Sequence, residues 1–139
     1  WDAAALPEEM PADFFNRVSR RGVVFTSPDG SFRVSANSDS SAERLFGNIN
    51  PDYANQFRTN SPHRLFSAWG SPITEVHFYL PGQPQIPATV SAFGAVFTDV
   101  EQENSTRIEA YDVHGVFIGQ VTASAAGNAG LVAAAHDSD

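Results

Sequence analysis

Cysteine is absent from the 139 residues, which excludes a disulfide framework, cysteine-ligated zinc and a thiol nucleophile and leaves stability to packing. Lysine is absent too: all eight basic residues are arginine, a usage that fits a GC-rich coding sequence and implies no chemistry. Charge of either sign is scarce at 17%, and positive charge runs out along the chain. Residues 1–66 hold eight acidic residues and seven arginines, net −1, whereas residues 67–139 hold eight acidic residues and Arg107 alone, net −7. A phosphate backbone or an anionic membrane surface repels such a chain, and the group Arg17, Arg20 and Arg21 does not offset that, so nucleic acid is not expected as a partner. No run approaches the roughly 18–20 apolar residues a helix needs to cross a bilayer, so no membrane span is expected. No secretory leader is visible. Because Trp1 rather than Met stands first, upstream sequence is expected to have been processed away or to lie outside the chain given.

What is present suffices for one core. The hydrophobic fraction is 42%, with eleven Phe and three Tyr, and a chain of this length can bury roughly 65–70% of the surface it exposes when unfolded. One domain is expected over residues 1–139. Residues 1–21, with Pro7 and Pro11, read as an irregular N-terminal arm holding at most a short helix between Met10 and Val18. Strands are expected over 22–122. Val23–Thr26 and Phe32–Ser35 flank Ser27-Pro28-Asp29-Gly30, whose proline and glycine suit a tight turn, so the pair reads as a hairpin.

From Asn37 to Pro62 the chain is rich in Ser, Asn and Asp and reads as irregular. A strand follows at Arg64–Ser67. Between Ile73 and Leu80, the residues Thr74, Val76, Phe78 and Leu80 alternate with polar neighbours and are expected to face the core. Pro81–Pro87 reads as a connector, because its prolines lack ladder donors. Ala88–Val100 is apolar on both faces and reads as a central strand. Arg107–Tyr111 and Val116–Val121 flank Asp112-Val113-His114-Gly115, a tetrapeptide suited to a type I turn followed by glycine in the left-handed region, and predict a second hairpin. Residues 123–139, Ala- and Gly-rich with an acidic end, are expected to be poorly ordered unless a partner holds them. The sum is an all-β, antiparallel β-sandwich of jelly-roll type.

Several strings are more specific: Asp13-Phe14-Phe15-Asn16, Arg21-Gly22-Val23-Val24-Phe25, Phe46-Gly47-Asn48-Ile49-Asn50-Pro51, the run Phe93 to Glu101, and Ile108-Glu109-Ala110-Tyr111-Asp112 with Gly115. Over roughly residues 1–122 the chain resembles a family of uncharacterised, secreted bacterial β-sandwich proteins, some with surface-sorting sequences. The resemblance implies an exported or cell-surface bacterial domain of the kind used for attachment or glycan contact, with no established activity. After Gly130 the chain departs from that pattern, where a further hydrophobic strand would be expected. A missing strand leaves a sheet edge unpaired, and a homodimer through that edge is the expected consequence.

No catalytic motif stands out. The histidines at 63, 77, 114 and 136 lack zinc-binding spacing, and no Gly-x-Ser-x-Gly string occurs. Glu75 with Asp99 or Glu109 is the carboxylate pair available for glycoside hydrolysis, the alternative to a non-enzymatic binding module. Calcium takes oxygen ligands at strand ends and loops, and Asp99, Glu101, Glu103 and Asn104 crowd one such transition; a solvated acidic loop is the plainer alternative. Sugar rings stack on exposed aromatics, for which Trp69, Tyr53 and Tyr79 are the candidates, with core or hairpin packing the plainer alternative for each. Asn104-Ser105-Thr106 matches a glycosylation triplet and is read as chance in a bacterial chain. The reading is therefore an extracytoplasmic binding or adhesion module, contacting a polysaccharide or surface component and stabilised by calcium.

Overall fold

Period-two alternation becomes strand in the computed structural model of the protein, which describes residues 8–39, 44–60 and 63–137. The strands are β1 (Glu8–Met10), β2 (Val23–Thr26), β3 (Ser31–Val34), β4 (Phe66–Trp69), β5 (Glu75–Leu80), β6 (Gln83–Pro87), β7 (Ala92–Thr98), β8 (Arg107–Tyr111), β9 (Phe117–Thr122) and β10 (Leu131–Asp137). Two one-turn helices, α1 (Phe14–Arg17) and α2 (Tyr53–Gln56), complete the regular structure. Strand accounts for 41% of the described residues and helix for 7%. Every strand pairing is antiparallel, so the all-β expectation holds.

The pairings nest. β3 pairs with β4 within the span closed by β2 and β5, and β8 pairs with β9 within the span closed by β7 and β10. Rolling an inner pair over an outer pair is how double-sheet jelly rolls close around a core. In the first ribbon, Met10, Phe25, Phe32 and Val34 are buried together, with Phe14, Phe15, Val76 and Ala68 against them. The Phe25 ring lies 5.0 Å from Phe66 and 6.0 Å from Phe32, so β2 faces β3 and β4 across the core. In the second ribbon, Val100, Ala123 and Ala134 are buried beneath Phe97, Ile108, Val121 and Val132.

Five expectations are corrected. The segments 23–26 and 32–35 do not pair as a hairpin: β2 joins β5, and β3 joins β1 and β4. The turn between them is a corner from one layer to the other, tied down by the Ser27 hydroxyl donating to the Ile73 carbonyl (2.9 Å). The arm expected over 1–21 contributes core instead, because its β1 adds to β3 and its Met10 and Asn16 are buried. Pro81–Pro87 is not only a connector: β6 lies on the outer side of β5, where a missing proline N–H leaves no central ladder bond unmade.

The most consequential correction concerns 123–139. Leu131 to Asp137 is a strand, in register with β7 from Leu131 opposite Thr98 to Asp137 opposite Ala92. Val132, Ala134 and His136 turn toward the core, while Ala133 and Ala135 face outward. Nor is β7 covered on both faces, since Ala92, Gly94 and Val96 are exposed. The sheet position expected to be vacant after Gly130 is thus filled, and β10, like β7, keeps one side without a paired strand among the described residues. The first seven residues of the arm and residues 138–139 of the tail lie outside the described residues.

Because Phe25 joins the two layers of the first ribbon, Phe25→Ala is expected to destabilise the protein by about 3–5 kcal/mol in urea unfolding. Val113→Ala, at a side chain 74% exposed, is expected to stay within about 0.5 kcal/mol. Equal effects of the two would show that the ring cluster is not the core.

Candidate binding surface

The β8–β9 hairpin is built by its turn. The Asp112 carboxylate accepts the backbone N–H groups of His114 (2.8 Å) and Val116 (2.9 Å), and Gly115, at φ 76°, adopts the left-handed conformation that closes the loop. Ile108 and Ala110 on β8 and Gly119 and Val121 on β9 turn inward, which leaves Arg107, Glu109, Tyr111, Phe117 and Gln120 outward. Gly119 has a packing reason: His136 of β10 lies directly beneath it, in the space a Cβ would need. A register shift beside Ala110 places Phe117 opposite Tyr111 and leaves Ile118 as the extra residue.

The outward row is ordered by its own contacts. Arg107 Nε donates to Glu109 Oε1 (2.5 Å), and the Tyr111 hydroxyl donates to Glu109 Oε2 (2.7 Å). The Tyr111 and Phe117 rings lie 5.7 Å apart in an edge-to-face arrangement, although the side chains are 55% and 51% exposed. The hydrogen bond from Tyr111, and then that from Arg107, holds the Glu109 carboxyl below its ordinary pKa. Reciprocally, Glu109 raises the Tyr111 hydroxyl and the Arg107 guanidinium. These groups are solvated, so the network adds little stability and instead orients the rings. What it adds from Glu109 is present above the usual carboxylate pKa and lost as pH falls through the lowered one. What it adds from Tyr111 is present below about pH 10 and lost as pH rises through the raised pKa.

Of the residues expected to hold calcium, the structure brings two together. The Asn128 side-chain amide lies between Asp99 Oδ1 (3.0 Å) and Glu101 Oε1 (3.1 Å), and with its nitrogen assigned to that side it donates to both. Glu103 is engaged elsewhere, its Oε1 accepting the Ala125 N–H (3.0 Å). Asn104 occupies a turn position at φ 62°. Among the described residues no group of three or more Asp, Glu, His or Cys side chains is placed to share an ion. Asn128, absent from the sequence-based set, lies too far along the chain for spacing to reveal it.

The expected aromatic trio lies on separate elements. Trp69 is on β4 with the Arg33 guanidinium 4.5 Å from its ring centroid, which occupies one ring face. Tyr53 is on α2, its ring 4.9 Å from Phe57. Tyr79 is half-buried on β5, opposite Pro87. Sequence reasoning missed the exposed pair, Tyr111 and Phe117, although their positions astride the Asp112–Gly115 turn were readable. The proposed catalytic carboxylates are likewise apart in their contacts: Glu75 accepts the Thr26 hydroxyl (3.0 Å) and stands 3.7 Å from His77, while Glu109 is held by Arg107 and Tyr111. No protein family, curated protein or solved structure matches the chain.

In Tyr111→Phe the strongest cause of the Glu109 shift is gone. The Glu109 carboxyl, followed by side-chain NMR during an acid titration, is therefore expected to titrate at higher pH in the variant than in the parent. An unchanged midpoint would mean that the hydroxyl does not hold the carboxylate.

Proposed function

We propose that the protein is a non-enzymatic, extracytoplasmic binding module that contacts a neutral polysaccharide through the outward face of the β8–β9 hairpin. The observation that carries this reading is the solvent-facing Tyr111–Phe117 pair beside a carboxylate fixed by two hydrogen bonds. The apolar face of a pyranose stacks on exposed rings, while ionised Glu109 and the Gln120 amide can accept from and donate to its hydroxyls. Alternate residues along two paired strands form a flat, elongated strip, suited to a polymer. Arg107, the one basic residue of the acidic half, is engaged by Glu109, so a polyanion gains nothing there.

The hydrolase alternative lacks support. Glycoside hydrolysis needs two carboxyl groups flanking one bond, and Glu75 and Glu109 are held by separate neighbours, Glu75 by Thr26 and Glu109 by Arg107 and Tyr111. Calcium remains part of the proposal in a narrower form: Asp99 and Glu101 supply the carboxylates, and rotating the Asn128 amide would turn its oxygen toward them. Self-association belongs to it as well, with a second copy adding along the free edge of β10.

Affinity pull-down on insoluble cellulose, xylan and chitin, with reducing-sugar release measured on the same samples, is expected to show retention on at least one polymer and no turnover. Tyr111→Ala and Phe117→Ala are each expected to weaken retention by about tenfold or more, as central aromatic anchors do. Release of sugar, or retention indifferent to both variants, would contradict the reading. Millimolar calcium is expected to raise Tm in the parent and not in Asp99→Ala, since an ion that binds only the native state stabilises it by mass action. Equal shifts in both would remove the site.

A further inference from the structure

A concave site lies away from the hairpin, formed by α2 and the residues just after it with the segments around 38, 44–45 and 129. Its volume is about 290 Å³, and Leu45, Phe57, Arg44, Arg58, Asn55 and Thr59 are among the residues that line it. That volume is close to the lower end of the roughly 300–1,000 Å³ typical of small-molecule pockets, enough for one sugar ring. Its apolar floor is firm. Leu45 is 2% exposed, and the Phe57 ring is braced edge-on by Phe46 (6.2 Å) and beside Tyr53 (4.9 Å).

Two arginines meet this floor with different degrees of freedom. Arg44 is preset: its Nη2 donates to the Ala54 carbonyl and to Asn55 Oδ1 (3.3 Å), which leaves its other N–H groups available. Arg58 is anchored by its backbone, whose N–H donates to Thr98 Oγ1 (2.9 Å). Its guanidinium has no partner among the described residues. Ser38, Thr59 and Asn55 also line it, so side chains able to pair with hydroxyls share the pocket with the two arginines. The pocket also lies in the half of the chain where arginines balance acids, seven against eight, and not in the half at net −7.

We infer that this pocket binds a single carboxylate-bearing sugar ring, a hexuronate, with the ring face on Phe57 and the carboxylate between Arg44 and Arg58. An aromatic floor alone suits any pyranose, and two guanidinium groups alone suit any small anion. Their combination with three hydroxyl-matching side chains selects a ligand that is both. Planar, forked donation by arginine fits a carboxylate in particular. The inference does not rest on the hairpin reading and concerns different residues.

The test is an isotope-edited NMR titration of the full chain with glucuronate, glucose and inorganic phosphate at neutral pH. Glucuronate is expected to bind at least about tenfold more tightly than glucose, the scale of one hydrogen bond to a charged group. Amide shifts are expected to concentrate at 38, 44–45, 54–59 and 129. Arg58→Ala is expected to weaken glucuronate by about tenfold without changing the circular dichroism spectrum, and Arg58→Lys to restore part of the loss. Binding should also weaken as salt rises. Failure of glucuronate to bind, shifts confined to 107–122, equal binding by Arg58→Ala, or equal binding of glucose would each overturn the proposal. Phosphate binding as tightly as glucuronate would likewise overturn it, by showing an ion site with no sugar specificity.

Discussion

The antiparallel pairing of β10 with β7 is the constraint on which the second half of the molecule depends. Seven residue pairs run from Leu131 opposite Thr98 to Asp137 opposite Ala92. They place Val132, Ala134 and His136 in one row beneath the hairpin. Ala134 is buried there against the cluster that includes Ile108 and Val121, and His136 occupies the room left by Gly119. A hairpin of two strands is marginal in water by itself. This one is held because its inward face has a surface to lie on, and holding that face inward commits Arg107, Glu109, Tyr111 and Phe117 to solvent.

The same geometry explains why the outward residues are organised without being stabilising. Exposed ion pairs and surface hydrogen bonds contribute little to folding. Here they fix one ring and one carboxylate in a known relation, which lowers the ordering cost a ligand would otherwise meet. The register shift beside Ala110 serves the same end by setting Phe117 directly across from Tyr111. Preorganisation, rather than depth, is what the strip offers to an extended ligand.

Much of the architecture was legible in the sequence. The second hairpin follows from the Asp112–Gly115 turn, and the alternation at 75–80 and 107–111 marks strands in the expected places. Two kinds of information were not legible. Local turn chemistry at Ser27–Gly30 does not say whether the flanking strands pair or part company; the apposition of Phe25 with Phe32 and Phe66 across the core decides it. Strand β10 escaped because alanine has little strand preference and its Ala133-Ala134-Ala135 run shows no contrast between faces. The candidate sites failed for a related reason. Trp69, Tyr53 and Tyr79 were grouped by residue type, which says nothing about distance, whereas Asn128 reaches Asp99 and Glu101 only through the fold.

The central claim is that the hairpin, seated on β10, presents its outward face to a sugar polymer. Backbone amide chemical-shift mapping of the labelled protein with soluble neutral oligosaccharides, cello-, xylo- and chito-oligosaccharides in turn, tests it most directly. At least one series is expected to shift the amides of 107–111 and 117–122 while leaving those of 23–34 and 66–69 unmoved. Shifts confined to the first ribbon, or none with any of the three series, would contradict the account.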